Sequence, residues 1–97
     1  MLFEKFTWDP KKDEANYQKH GVDFLFAQAI FEGPVLIGPS DQMTHGEERW
    51  TALGMVNDQL LMVVFTMRND VVRIISARKG GDNDRKKVTR LFSPGTS

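Results

Sequence analysis

The side chains best suited to chemistry lie in the second half of the chain, and they are Arg49, Thr66, Arg68 and Arg73. Arginine binds phosphate in a bidentate way, and three guanidinium groups close together repel one another unless acids or an anion neutralise them. We call these four residues the arginine cluster, and their meeting would predict a phosphate-binding site. The alternative is that they are edge charges, partly paired with Glu47 and Glu48.

Two pairs of turn residues decide whether the arginine cluster forms. Asn57-Asp58 and Asn69-Asp70 each separate two β-rich runs, a pattern typical of tight hairpins. If both loops are two residues long, Thr66 faces Arg49 on one neighbouring strand and Arg73 on the other. A change of one residue in either turn would move the side chains to the other face.

The same register extends Glu47 toward Arg68 and puts Arg78 on the opposite face from the arginine cluster. Arg78 also lies roughly 23 Å from the turn at the start of its strand, at about 3.3 Å per residue. We therefore expect Arg68 and Arg78 to serve different ends of the sheet, unless twist and a bulge alter the register. Near Arg78, further basic residues predict a second basic edge: Lys79, Arg85, Lys86 and Lys87.

The two histidines have separate interpretations. His20 follows Lys19 near the end of a predicted helix. It is either a cap whose position suits the helix dipole or a functional residue, acting as a general base or a phosphate ligand. His45 lies in a polar loop. Two histidines far apart, with no cysteine in the chain, lead us to predict no metal ion, and we expect no cofactor.

Length and composition predict one small domain. The 97 residues carry no net charge, but residues 1–48 sum to −5 and residues 49–97 to +5. We expect a single domain over residues 1–92 and a frayed tail over residues 93–97. No apolar run approaches the roughly 20 residues that span a bilayer, and the first residues lack a signal-peptide pattern. These features predict a cytoplasmic protein without a membrane partner.

Local signals predict two N-terminal helices. Asp9 and Pro10 begin the first and Gly21 ends it. Asp23 caps a second helix over residues 24–31, which is apolar nearly all round and therefore predicted to be buried on more than one side.

The rest of the chain predicts four strands, over residues 35–37, 49–56, 59–67 and 71–78. The continuous apolar run of residues 60–65 is typical of a central strand covered on both faces. Asp82 or Asp84 then caps a final helix. The predicted class is α+β, with two N-terminal helices, a four-stranded mostly antiparallel sheet and one C-terminal helix.

An ordered set of short motifs over about residues 4–79 resembles the BrnT family of bacterial toxins. The more specific ones are Lys19-His20-Gly21-Val22 and Arg73-Ile74-Ile75-Ser76-Ala77-Arg78. The set also includes Phe6-Thr7-Trp8-Asp9-Pro10, Asn16, Gly46-Glu47 with Arg49, Gly54, Leu61-Met62-Val63-Val64 and Thr66-x-Arg68.

The resemblance implies a compact RelE/ParE-like fold and a ribonuclease that halts translation. It also implies a BrnA-like antitoxin with a ribbon-helix-helix domain, through which the complex reaches operator DNA indirectly. The family's basic functional positions fall on Lys19, Arg68 and Arg78, with His20 and Arg49 as further candidates. The chain departs from the family pattern after Arg78, where no tyrosine follows to act as an aromatic acid or base.

A metal-independent cleavage of RNA is consistent with these residues. Arg68 and Arg78 would hold phosphate and stabilise the charged transition state, while Lys19 or His20 moves a proton. One alternative is a non-catalytic toxin or co-repressor that acts through its antitoxin complex. Another is a plain nucleic-acid-binding domain, which predicts salt-dependent binding without cleavage.

Overall fold

The computed structural model describes residues 3–40 and 46–92, and for residues 91 and 92 it describes the backbone alone. His45 and the predicted tail lie outside the described residues. The helices are α1 (Pro10–His20), α2 (Phe24–Ala27) and α3 (Asp82–Phe92), with a 3₁₀ helix (Gln28–Glu32) directly after α2. The strands are β1 (Phe6–Trp8), β2 (Leu36–Pro39), β3 (Trp50–Val56), β4 (Gln59–Arg68) and β5 (Val71–Lys79).

The α+β class is confirmed, but the sheet has five strands rather than four, in the order β1-β5-β4-β3-β2. The additional strand, β1, pairs in parallel with the outer edge of β5, from Phe6 opposite Val72 to Trp8 opposite Ile74. Three residues before a helix cap carry no readable alternation, so the pattern of the sequence did not reveal this strand. The other neighbouring strands are antiparallel.

Both hairpin turns are two residues long, as predicted. Asn57, Asp58, Asn69 and Asp70 all have positive φ, between 48° and 67°, which is the geometry of the tight turn that suits the twist of a hairpin. Asparagine and aspartate tolerate this conformation better than other residues with a side chain. The turns fix the β3–β4 ladder from Trp50 opposite Phe65 through Val56 opposite Gln59.

A bulge in β5 corrects the predicted position of Arg78. Ile74 lies opposite Phe65, but the next pair joins Ser76 to Val64, so Ile75 is an extra residue. Arg73 pairs with Thr66 and Arg78 with Met62, two residues of β4 that share a face. Arg78 therefore lies on the same face of the sheet as Arg73, not on the opposite one.

The other face of the sheet packs against α2 and the 3₁₀ helix and forms the core. Phe65, Leu61 and Val63 of β4 are fully buried there, against Phe24 and Ile30. The central position predicted for β4 is confirmed. The second helix differs from prediction, because α2 is a single turn and Leu25 is 66% exposed. Every third residue of this segment, Phe24, Ala27 and Ile30, is buried in the core, whereas Leu25 and Phe26 between them are exposed.

The last helix, α3, lies on the face of the sheet that bears Arg78, next to β3. Val88 of α3 lines an apolar cavity of about 420 Å³ together with Leu53 and Met55. Gly80, which precedes α3, allows the backbone to pass close to Leu60 of β4, because a Cβ atom at residue 80 would lie 2.6 Å from the Leu60 side chain. None of the described helices is long and apolar enough to cross a membrane.

Asn16 joins α1 to the part of β5 that β1 does not cover. Its side-chain amide donates to the carbonyl oxygens of Val22 and Ala77, both at 2.8 Å, and accepts from the Ala77 amide at 3.1 Å. The residue is only 7% exposed, so these bonds satisfy polar groups that are buried away from water. The side chain thus continues the pairing of β5 where the backbone of β1 has ended.

We expect Asn16→Ala to lower the free energy of unfolding by about 3 kcal/mol, because it removes three buried hydrogen bonds and leaves backbone groups of Ala77 and Val22 unpaired. Urea denaturation measures the change. Asn83→Ala, at an exposed position of α3, is the matched control. Equal small effects of the two substitutions would contradict a structural role for Asn16.

Candidate functional site

The strand register brings the members of the arginine cluster to one end of the sheet, where Glu47 also lies. Arg68 Nε donates to Glu47 Oε1 at 2.9 Å, as the register predicted. This hydrogen bond is the largest cause of a lowered pKa of Glu47, and partial burial acts in the opposite direction. The charges of Arg68, Arg49 and Arg73 lower the pKa further, so all three arginines act on one carboxylate.

Thr66 positions the cluster rather than offering a free donor. It is 2% exposed, and its hydroxyl donates to the carbonyl oxygen of Glu48 at 2.7 Å. The contact holds the segment that carries Glu47 and Arg49 against β4. Since the one hydroxyl hydrogen is used in this bond, Thr66 cannot donate to a phosphate while the bond persists.

The predicted pair of Arg49 and Thr66 lies one step beyond the last regular pair of the β3–β4 ladder. Arg49 is half-buried, and its Nε is a buried donor without a hydrogen-bond partner among the described residues. Three arginines at this end of the sheet, one of them paired with Glu47, leave an excess of positive charge there. Such a surface favours an additional anion.

Arg78 belongs to a separate group of contacts, which we call the α3 junction and which comprises Arg78, Gly81 and Asp84. Asp84 Oδ2 accepts from Arg78 Nη1 and from the Gly81 amide, both at 2.9 Å. The second bond is the reach-back contact of a capping box, so Asp84 and not Asp82 stabilises the start of α3. Arg78 also donates to the Lys79 carbonyl at 3.0 Å.

Opposing influences act on the pKa of Asp84. Burial is the largest and raises it, but the hydrogen bonds from Gly81 and Arg78 and the charges of Arg78 and Lys87 outweigh burial. The pKa therefore lies below its ordinary value of 3.8. The carboxylate is ionised at neutral pH and holds Arg78 in place.

The α3 junction borders the second basic edge that the sequence predicted. An open polar cavity of about 650 Å³ lies there, lined by Arg78, Gly81, Asp82, Asn83, Asp84, Lys86 and Lys87. The neighbouring Lys79 is exposed at the end of β5. Arg78 pairs with Met62, six residues along β4 from Arg68, so the two arginines lie roughly 20 Å apart at about 3.3 Å per residue. The structure brings Arg78 to the face of the arginine cluster but not into it.

Lys19 and His20 occupy the last turn of α1, which Gly21 ends in the left-handed conformation at φ 71°. From Trp8 opposite Ile74 to Asn16 beside Ala77, the chain advances along β5 toward Arg78. The last turn of α1 continues in that direction. Lys19 and His20 therefore lie toward the Arg78 end, and neither makes a side-chain hydrogen bond or ion pair within the described residues.

Two acidic residues of the site were not among the predicted functional residues. Glu47 was expected only as a partner of the arginines, and its signal was the hairpin register. Asp84 was expected only as a cap, and no sequence signal connected it with Arg78. Within residues 3–40 and 46–92, no group of three or more histidines and carboxylates is arranged to hold a metal ion.

A small α+β domain that concentrates arginines on one face of its sheet is a protein suited to phosphate-bearing ligands. The model of the BrnT family, described as the ribonuclease toxin of a type II toxin–antitoxin system, matches residues 8–84. Because the match covers most of the chain, the protein belongs to the BrnT family. A search of curated proteins found no match.

We expect Asp84→Asn to destabilise the protein by about 1 kcal/mol at pH 7, the usual scale of a helix-capping contact. The lowered pKa means that this contribution is present above about pH 3.8 and is lost as the pH falls through the pKa of the folded state. The difference between variant and parent should therefore shrink below pH 3.8 in urea denaturation.

The matched control is Asp82→Asn, which changes the same charge at an exposed position of the same helical turn. A pH-independent difference for Asp84→Asn, or an equal effect of both substitutions, would argue against the ionised contact with Arg78.

Proposed function

We propose that this protein is a metal-independent endoribonuclease that cleaves RNA and thereby arrests translation. The family supplies the class, a ribonuclease toxin. The observation that carries the proposal is that the strand register brings Arg49, Arg68 and Arg73 to one end of the sheet, beside Glu47, which forms an ion pair with Arg68. The excess positive charge of this group suits a phosphodiester of the RNA backbone.

RNA contains its own nucleophile, the 2′-hydroxyl, which attacks the adjacent phosphorus and expels the 5′-oxygen. The phosphorane formed on the way carries more negative charge than the starting diester. Fixed guanidinium groups stabilise that charge better than they stabilise the ground state, and this difference lowers the barrier. We assign this task to Arg49, Arg68 and Arg73, with Thr66 holding the segment of Arg49 in place.

We assign the other basic end to the neighbouring part of the same RNA strand. Arg78 and Lys79 would bind backbone phosphates there, and Lys19 and His20, which lie toward this end of β5, are further candidate contacts. This division follows from the roughly 20 Å that separate Arg68 from Arg78, a distance too long for one phosphate. A proton transfer by Lys19 or His20 would require the reacting phosphate to lie at Arg78 instead.

We further propose that a BrnA-like ribbon-helix-helix antitoxin neutralises the protein in the cytoplasm and connects it indirectly to operator DNA. Membership in a type II toxin–antitoxin family supports a protein antitoxin. We also expect the chain to share the general arrangement of RelE/ParE-like toxins. Copurification with the product of an adjacent gene, followed by recovery of RNA cleavage after its removal, tests the pairing.

We expect Arg68→Ala and Arg73→Ala each to lower cleavage of purified total RNA in EDTA by about 100-fold, because each removes a charge that stabilises the transition state. Arg78→Ala should instead weaken binding of 2′-O-methylated RNA and reduce its salt dependence by about one phosphate contact. Gel analysis of products and binding titrations measure the two effects.

Arg90→Ala is the matched control, since Arg90 is exposed on α3 and has no ion-pair partner among the described residues. Absence of cleavage by the parent, with intact binding to an antitoxin, would favour the non-catalytic toxin or co-repressor. A larger loss of cleavage rate with Lys19→Ala, His20→Ala or Arg78→Ala than with Arg68→Ala would place the reaction at the other end of the sheet.

A further inference from the structure

The proposed cleavage needs a group that accepts the proton of the 2′-hydroxyl, and the arginine cluster itself contains none. Arginine stays protonated in proteins, so Arg49, Arg68 and Arg73 cannot act as bases. The hydroxyl of Thr66 is buried and already donates to a backbone carbonyl. Lys19 and His20 lie toward Arg78, at the other end of β5.

Glu47 is the carboxylate at the centre of this group. Its Oε1 accepts from Arg68 at 2.9 Å, while Oε2 makes no hydrogen bond within the described residues. The side chain is 28% exposed, so a strand bound across the sheet face can reach it. The backbone of the same segment is fixed to β4 through Thr66 and the Glu48 carbonyl.

We propose that Glu47 is the general base of the cleavage reaction, an assignment that rests on the proposed ribonuclease function. Oε2 of Glu47 takes the proton of the 2′-hydroxyl as the O2′–P bond forms and the P–O5′ bond breaks. The leaving 5′-oxygen takes a proton from water. The hydroxide produced removes the proton from Glu47, and the products are a 2′,3′-cyclic phosphate and a 5′-hydroxyl.

The electrostatics of the free protein fit this role. Without RNA, the hydrogen bond from Arg68 is the main reason why the pKa of Glu47 is lowered, so the carboxylate is ionised and ready to accept a proton. A phosphate that attracts Arg68 weakens this hydrogen bond. The carboxylate then becomes a stronger base at the moment when the substrate is in place.

The alternative role for Glu47 is that of a simple competitor, which fills the phosphate position in the free protein. The two roles predict opposite effects of the Glu47→Gln substitution on the cleavage rate. If Glu47 is a competitor, Glu47→Gln should allow RNA to bind more tightly and to be cleaved at least as fast. If Glu47 is the general base, the Glu47→Gln protein should lose turnover without losing affinity for RNA.

The test compares the parent protein with Glu47→Gln on purified total RNA in EDTA, over a series of pH values from 4 to 8. Binding is measured separately with 2′-O-methylated RNA, which cannot be cleaved because its nucleophile is blocked. Glu48→Gln is the matched control, because it makes the same charge change at the next residue, whose side chain is exposed. Thermal unfolding of each variant reports whether it is folded.

We expect Glu47→Gln to lower the cleavage rate by at least about 100-fold, to bind RNA as tightly as the parent or more so, and to lose the rise in rate at the acid end of the pH profile. Glu48→Gln should cleave like the parent. Parent-like cleavage by a folded Glu47→Gln would overturn the assignment of the base and leave the ribonuclease proposal intact. An inactive parent would overturn both.

Discussion

The side chain of Asn16 is the contact on which the arrangement of this protein depends. The strand β1 covers β5 only as far as Ile74, and beyond it the backbone of β5 would present an unpaired edge. Asn16 satisfies both backbone groups of Ala77 and, through Val22, the turn that leads into α2. One buried amide therefore joins both N-terminal helices to the sheet through directional hydrogen bonds, in addition to the apolar packing of the core.

The bulge at Ile75 is the second constraint, since it decides which side chains of β5 share a face. Before the bulge Arg73 lies opposite Thr66, and after it Arg78 lies opposite Met62. Without the extra residue Arg78 would point into the core side of the sheet, where its charge would need a buried partner. The bulge therefore places both groups of basic residues on the same face of the sheet.

Both basic ends are paired with carboxylates in the free protein, and the two pairs differ in kind. Asp84 is largely buried, caps α3 and binds Arg78, so it belongs to the structure as much as to the site. Glu47 is more accessible and binds Arg68 through one oxygen only. A pair with a free oxygen at the surface exchanges partners easily, whereas a pair that also caps a helix resists exchange. The carboxylate of Glu47 is therefore less tightly held than that of Asp84.

Local signals were enough to predict several elements of this protein. The caps at Asp9 and Asp23, the positive-φ turns and the apolar run of β4 each depend on neighbouring residues, and the pairing of Thr66 with Arg73 follows from the turns. Strand β1, the bulge at Ile75 and the contact of Arg78 with Asp84 arise from tertiary contacts instead. Each of these depends on groups that meet only after the sheet has formed: a three-residue strand needs an existing edge, and a bulge is set by packing on both faces rather than by a residue type.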